Sequence, residues 1–138
     1  MVLVGTIILT IVALSAVFAP WLTPYDPTAL KILDRLQSPR AAHWFGTGEL
    51  GRDVFSRAIF GARYSLMIGA LVVAISVTCG VLLGLIAGYF RRLDGPIMRV
   101  VDAMMSFPDI LLAIALVAVL GASMTNVILA LAIVYTPR

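Results

Sequence analysis

The stretch FGTGELGRDVFSR, Phe45 to Arg57, holds the densest group of residues whose types and spacing could do chemistry. Gly46, Gly48 and Gly51 have G-x-G-x-x-G spacing, the fingerprint of a loop that cradles a dinucleotide pyrophosphate. That chemistry needs a buried strand running into the loop and a helix opening from its last glycine, inside a βαβ unit. The approach here is LQSPRAAHW, which carries Pro39 and Arg40 and no run of β-branched residues, so it is a poor strand. Lys31 is the only lysine and sits in no Gly-rich setting, which removes a phosphate loop ending in Gly-Lys. The three glycines therefore read as turn residues.

The remaining reactive side chains do not assemble either. Glu49 and Asp53 are paired acids, but Asp53 is better explained as the N-cap of a helix that follows it. His43 beside Trp44 reads as an interfacial pair, and no second histidine exists to complete a metal-ligand set. Ser56 and Ser65 have no nearby base to activate them. Cys79 lies in an apolar run and reads as a small packing residue, without a partner for a disulfide. The expectation is a protein that is not an enzyme and holds no cofactor or metal of its own.

Composition explains what must position these residues. Hydrophobic residues make up 62% of the chain and charged residues 12%, and the mean hydropathy is +1.07. A soluble domain of 138 residues has no interior large enough for that much apolar surface. The net charge of +3 is spread over scattered arginines, which argues against a nucleic-acid surface. The sequence predicts an all-α polytopic membrane protein with three transmembrane helices and an incomplete fourth.

Residues 1–21 form the first expected span, ending at the interfacial Trp21. Val17-Phe18-Ala19 resembles a leader-peptidase site, but no Lys or Arg precedes the apolar run and Pro20 would follow the cut. An uncleaved helix is expected, with the missing basic flank suggesting an amino terminus further upstream. Residues 22–63 are expected outside the lipid as a loop, closed by a short amphipathic interfacial helix from Asp53 to Arg63. Residues 64–138 follow as spans 64–90, 97–120 and 127–138, the last stopping short at Arg138, with a tight turn at Leu93 to Pro96. Within 64–90, Ser76, Gly80, Gly84 and Gly88 recur at four-residue steps and predict a close helix-packing face. In the third span Arg99, Asp102, Ser106 and Asp109 lie on roughly one polar face, Asp109 either facing a pore or snorkelling to the interface beside Asp102 and Arg99, and Pro108 predicts a kink. Counting arginines and Lys31 would put the 22–63 loop inside, whereas the density of Arg91 and Arg92 at a membrane end favours the short turn.

From His43 to Leu120 the chain resembles the inner-membrane permeases of ABC importers for dipeptides, oligopeptides and nickel, specifically the C-type subunit. The residues that carry the resemblance are Phe45-Gly46-Thr47, Gly51-Arg52-Asp53, Ser56-Arg57, Gly61-Ala62-Arg63, Ser65-Leu66, Gly88-Tyr89-Phe90, Asp102 and Pro108. That family usually has Gly-Thr-Asp before Gly-Arg-Asp. Gly48 stands here in place of the aspartate, and this departure alone creates the G-x-G-x-x-G spacing. The resemblance implies a multi-pass protein of a bacterial or archaeal plasma membrane that forms half of a heterodimeric pore. Its implied partners are a second permease subunit, cytoplasmic ATPase subunits that bind the ATP, an extracytoplasmic substrate-binding protein, and membrane lipid. It also implies an inside amino terminus, an outer 22–63 loop and a cytoplasmic Arg91–Gly95 turn. Family members have about six spans and dock their ATPase through a Glu-Ala-Ala…Gly loop, so this sequence is expected to be a front half. The rival expectation is a small self-assembling channel or scaffold that oligomerises through the Ser76, Gly80, Gly84 and Gly88 face.

Overall fold

The structure is a computed structural model that describes residues 2–137. Helices account for all regular structure among the described residues apart from two isolated bridges, Arg40 with His43 and Thr47 with Asp53. The chain divides between Met67 and Ile68 into two units.

In the first unit, α1 spans Val2–Val17 and contains no charged residue. Its hydroxyls donate back to its own carbonyls: Thr6 to Val2 at 3.0 Å, Thr10 to Thr6 at 2.7 Å and Ser15 to Ile11 at 2.7 Å. A helix in hydrocarbon needs its polar atoms satisfied internally in this way. The short α2, Ala19–Leu22, carries Pro20 in its first turn, where a missing N–H costs little. Residues 23–53 then form the loop. It holds a turn in which the Asp26 carboxylate accepts from the Thr28 backbone N–H at 2.8 Å and the Thr28 hydroxyl at 2.6 Å. A single 3-10 turn follows at Ile32–Asp34.

The long helix α3, Val54–Tyr89, continues from the loop into the second unit. It is the one helix among the described residues that is long and apolar enough by itself to cross a membrane. The second unit adds α4 (Arg91–Met105), α5 (Asp109–Leu120) and α6 (Met124–Tyr135). Helices α5 and α6 pack together through a sharp connection at Gly121, whose φ of +93° favours glycine. Ser123 caps α6 by accepting from the Asn126 N–H at 3.2 Å. The Asn126 side-chain amide in turn donates to the Leu120 and Gly121 carbonyls at 2.6 and 3.0 Å, serving the open end of α5.

Three boundaries differ from the sequence expectation. Residues 54–63 are not a separate interfacial helix but the first turns of α3, because no proline separates them from residue 64 and Gly61 alone does not end a helix. The expected turn at Leu93 to Pro96 is helical: the break is at Phe90, and α4 begins at Arg91 with Asp94 in its first turn, where the dipole favours an acid. Pro96 only removes the hydrogen bond to the Arg92 carbonyl. The third expected span, 97–120, is a broken pair: α4 and α5 are bent by 96° across Ser106 to Pro108. Pro108 pushes Phe107 out of helical geometry and then opens α5 from its N-cap position. The remaining apolar helices are shorter, 16 residues in α1 and 12 in α6.

Candidate functional site

The loop before α3 closes around a buried pair. His43 Nδ1 and Asp53 Oδ1 lie 2.9 Å apart, their side chains only 6% and 3% exposed. Asp53 Oδ2 accepts from the Ser56 backbone N–H at 2.8 Å, which is the expected cap on the first turn of α3. The Tyr25 ring covers the histidine with centroids 4.8 Å apart. Burial alone pushes the Asp53 carboxyl up, but the Ser56 N–H and the His43 ring outweigh it and hold it below its ordinary value. Sequence reasoning missed this pairing; its only signal was a lone histidine ten residues before the capping acid.

The rest of the motif tightens the same loop. Thr47 N–H donates to the Gln37 carbonyl at 3.1 Å, Gln37 N–H donates to Thr47 Oγ1 at 2.9 Å, and that hydroxyl donates to the Asp34 carbonyl. Gly46 and Gly51 have φ of +71° and +68°. A Cβ on Gly46 would strike the Gln37 carbonyl, and one on Gly51 would strike the Lys31 carbonyl. Only glycine fits either place. Gly48 is different, since its φ is ordinary and a Cβ there would meet Arg57 Nη1 at 3.9 Å.

Gly46, Thr47, Gly51, Asp53 and Ser56 are thus buried parts of the loop's own framework. Arg52 and Arg57 are not. Both line an open groove of about 660 Å³ together with Thr23, Tyr25, Phe60 and Tyr64. No carboxylate lies within 4.0 Å of either guanidinium among the described residues. The Nε of Arg52 is shielded from water yet has no hydrogen-bond partner.

In the second unit, the small-residue face is half engaged. Ser76 Oγ donates to the Ala132 carbonyl of α6 at 3.0 Å, and a Cβ on Gly80 would come within 3.0 Å of the Thr136 carbonyl. Gly84 and Gly88 face open space. At the α4–α5 bend, Asp102 is exposed and Ser106 Oγ turns back to the Asp102 carbonyl at 2.8 Å. Asp109 is half-buried in the first turn of α5 rather than in the middle of a long span. The structure therefore keeps Asp102, Ser106, Pro108 and Asp109 together at one bend.

Two family models match the chain. Residues 1–39 match the N-terminal TM domain of oligopeptide transport permease C, and residues 80–138 match the binding-protein-dependent transport system inner membrane component. The dipeptide transport system permease protein of Alkalihalophilus pseudofirmus is 49% identical over 98% of this chain and 45% of its own length. The probable D,D-dipeptide transport system permease protein of Escherichia coli is 46% identical over 96% of this chain and 45% of its own. The glutathione transport system permease protein of Pectobacterium atrosepticum is 44% identical over 96% and 44%. The chain spans less than half the length of these curated relatives. With a loop framework built from the motif and apolar helices on both sides of it, the chain belongs with the inner-membrane permease components of binding-protein-dependent transport systems that the two family models describe.

Proposed function

We propose that the chain works as the transmembrane permease subunit of an ATP-driven importer of dipeptides or oligopeptides, forming half of the translocation pore beside a second permease subunit. The observation that carries this reading is the 49% identity, spread over 98% of the chain, to a dipeptide transport system permease. Peptides are favoured over nickel because relatives of similar identity are named for dipeptides and glutathione. ATP is bound and hydrolysed by cytoplasmic partner subunits, so the chain itself performs no chemistry. An extracytoplasmic binding protein delivers the substrate to the outer loop.

In the topology we propose, α1, α3 and the bent α4–α5 pair are three membrane passes and α6 begins a fourth. The 22–63 loop lies outside, and the Phe90 break with Arg91 and Arg92 lies at the cytoplasmic face, as basic residues at a membrane end favour. Asp102, Ser106, Pro108 and Asp109 then form a polar bend available to the translocation path. Gly84 and Gly88 are the part of the small-residue face left for a helix of the second subunit. The self-assembling alternative loses ground here, because Ser76 of its proposed interface bonds to α6 of the same chain and Gly80 lies against Thr136 just after it.

The test is uptake of a radiolabelled dipeptide by cells lacking the gene and by cells in which it is restored. Restored, energy-dependent uptake supports the reading, and equal uptake with and without the gene across a panel of peptides overturns it.

A further inference from the structure

Within the loop framework every motif residue is accounted for except two cations. Arg57 is exposed on the first turn of α3, and the half-buried Arg52 has one shielded nitrogen still without an acceptor. They share the open groove with the rings of Tyr25, Phe60 and Tyr64. The one acid among its lining residues, Asp26, has its carboxylate engaged by both donors of Thr28. Two guanidiniums and one carboxylate leave the groove with a net positive charge. Gly48 adds no side chain to cancel it: a Cβ there would meet Arg57 Nη1 at 3.9 Å, so only an acid at this position would face the guanidinium from within.

The opposite wall ties the groove to the end of the first apolar helix. Pro20 and Thr23 line it, directly after α1 and in the same unit of the chain. No charged residue occurs from Val2 to Tyr25, and Trp21, between the two wall residues, is 83% exposed. An exposed tryptophan where an apolar run meets its first charge suits the headgroup layer, since its ring is apolar and its N–H needs a polar partner. That first charge is Asp26, itself in the groove. With α1 as a membrane pass, the two guanidiniums stand among lipid phosphates. The planar fork of a guanidinium matches two phosphate oxygens. A phosphodiester with one net negative charge cancels the charge of the groove, whereas a zwitterionic headgroup also brings an ammonium towards the guanidiniums.

We propose that the groove lined by Arg52 and Arg57 binds the phosphodiester of an anionic phospholipid of the phosphatidylglycerol type. The two guanidiniums hold the phosphate, and the apolar walls at Pro20, Pro24 and Phe60 face the glycerol backbone. A lipid seated there bridges the end of α2 to the first turns of α3. This rests on α1 being a membrane pass, as in the topology above, and on nothing about the transported substrate.

The experiment uses the full chain in phosphatidylcholine bilayers, with Trp44→Phe leaving Trp21 as the only tryptophan. Quenching of Trp21 by dibrominated phosphatidylglycerol is compared with quenching by dibrominated phosphatidylcholine. The anionic lipid should quench at a mole fraction lower by about fivefold or more. Arg57→Gln and Arg52→Gln should each bring the two lipids within about twofold of each other, and Arg57→Lys should keep most of the preference. Gly48→Asp should weaken the preference without removing either arginine. Arg63→Gln, exposed on the same helix but outside the groove, should leave it unchanged. Retained quenching by brominated phosphatidylcholine shows that each variant is still inserted. Equal quenching by the two lipids before any arginine is replaced overturns the proposal. So does a preference that survives both Arg57→Gln and Arg52→Gln, or one that Arg63→Gln reduces equally. Loss of the preference in inorganic phosphate, but not in sodium chloride of the same ionic strength, overturns it in favour of a soluble anion. No quenching of Trp21 by either lipid would instead mean that α1 does not end at a membrane edge, and the topology itself would fall.

Discussion

At the residue scale, the motif divides into side chains that build the loop and side chains that the loop displays. Asp53 belongs to the first group and does two jobs, accepting from the Ser56 N–H and pairing with His43. Asp53→Ala should therefore cost more than a cap alone, which is about 1 kcal/mol. It also leaves the buried His43 ring short of a partner, adding about 1–3 kcal/mol. A fall in the thermal unfolding midpoint in detergent measures the sum, and an unchanged midpoint would refute the shared role. The pH dependence has a definite sign. Because the folded Asp53 carboxyl is held below its ordinary value, its contribution is complete above the unfolded carboxylate range and is lost as pH falls through the folded value. The wild type should lose stability below about pH 4, where carboxylates protonate, and Asp53→Ala should show a smaller loss over the same window. Glycines give a contrasting pair. Gly51→Ala combines a left-handed backbone costing about 1–2 kcal/mol with a collision against the Lys31 carbonyl, and should destabilise strongly. Gly48→Asp meets ordinary backbone and an arginine at 3.9 Å, and should be neutral or stabilising by no more than about 1 kcal/mol, as for other exposed ion pairs. Thermal midpoints of the two variants moving together would contradict the division.

At the element scale, what was legible in the sequence followed from hydrophobic length, and what was not followed from where helices break. Apolar runs at residues 1–21, 64–90 and 110–120 announce helices because hydrocarbon leaves the backbone no other partner. The bend at Pro108 was legible for the same kind of reason, since proline restricts its predecessor and removes a donor. The continuity of α3 was not, because the arginines at 57 and 63 give its first turns an amphipathic look that suits either an interfacial helix or a helix standing clear of the membrane. The break at Phe90 was hidden by Gly95 and Pro96, which form a turn signature but here sit in the second turn of α4. The His43–Asp53 pair depends on a loop closure that no local pattern encodes. The small-residue face was legible as a face, while its division between α6 and open space was not. That division predicts different outcomes along one helix. Gly80→Leu pushes against the Thr136 carbonyl and should cost about 1–3 kcal/mol as overpacking. Gly84→Leu meets nothing within 4 Å in this chain, so its cost should appear only on assembly with the second subunit proposed above. Thermal unfolding of the isolated chain separates the first from the second, and co-purification of the pair reads the second. Equal destabilisation of the isolated chain by both would remove the distinction.

At the scale of the whole molecule, the arrangement of charges must agree with one direction of insertion. Ten basic residues are distributed so that raw number and local density point to opposite faces. The topology proposed above follows density, because Arg91 and Arg92 directly follow the aromatic end of α3. Arginines that abut the end of a span bear most on insertion. Cys79, the only cysteine, makes the orientation measurable: Cys79→Ser gives a blank background for single cysteines elsewhere. Glu49→Cys, on the exposed rim of the loop, should react with a membrane-impermeant maleimide in intact spheroplasts. Asp94→Cys, exposed in the first turn of α4, should react only after the membrane is permeabilised. The opposite pattern would place the Arg52–Arg57 groove in the cytoplasm, out of reach of any extracytoplasmic partner. The buried loop framework would stand, but the direction of transport assigned to it would not.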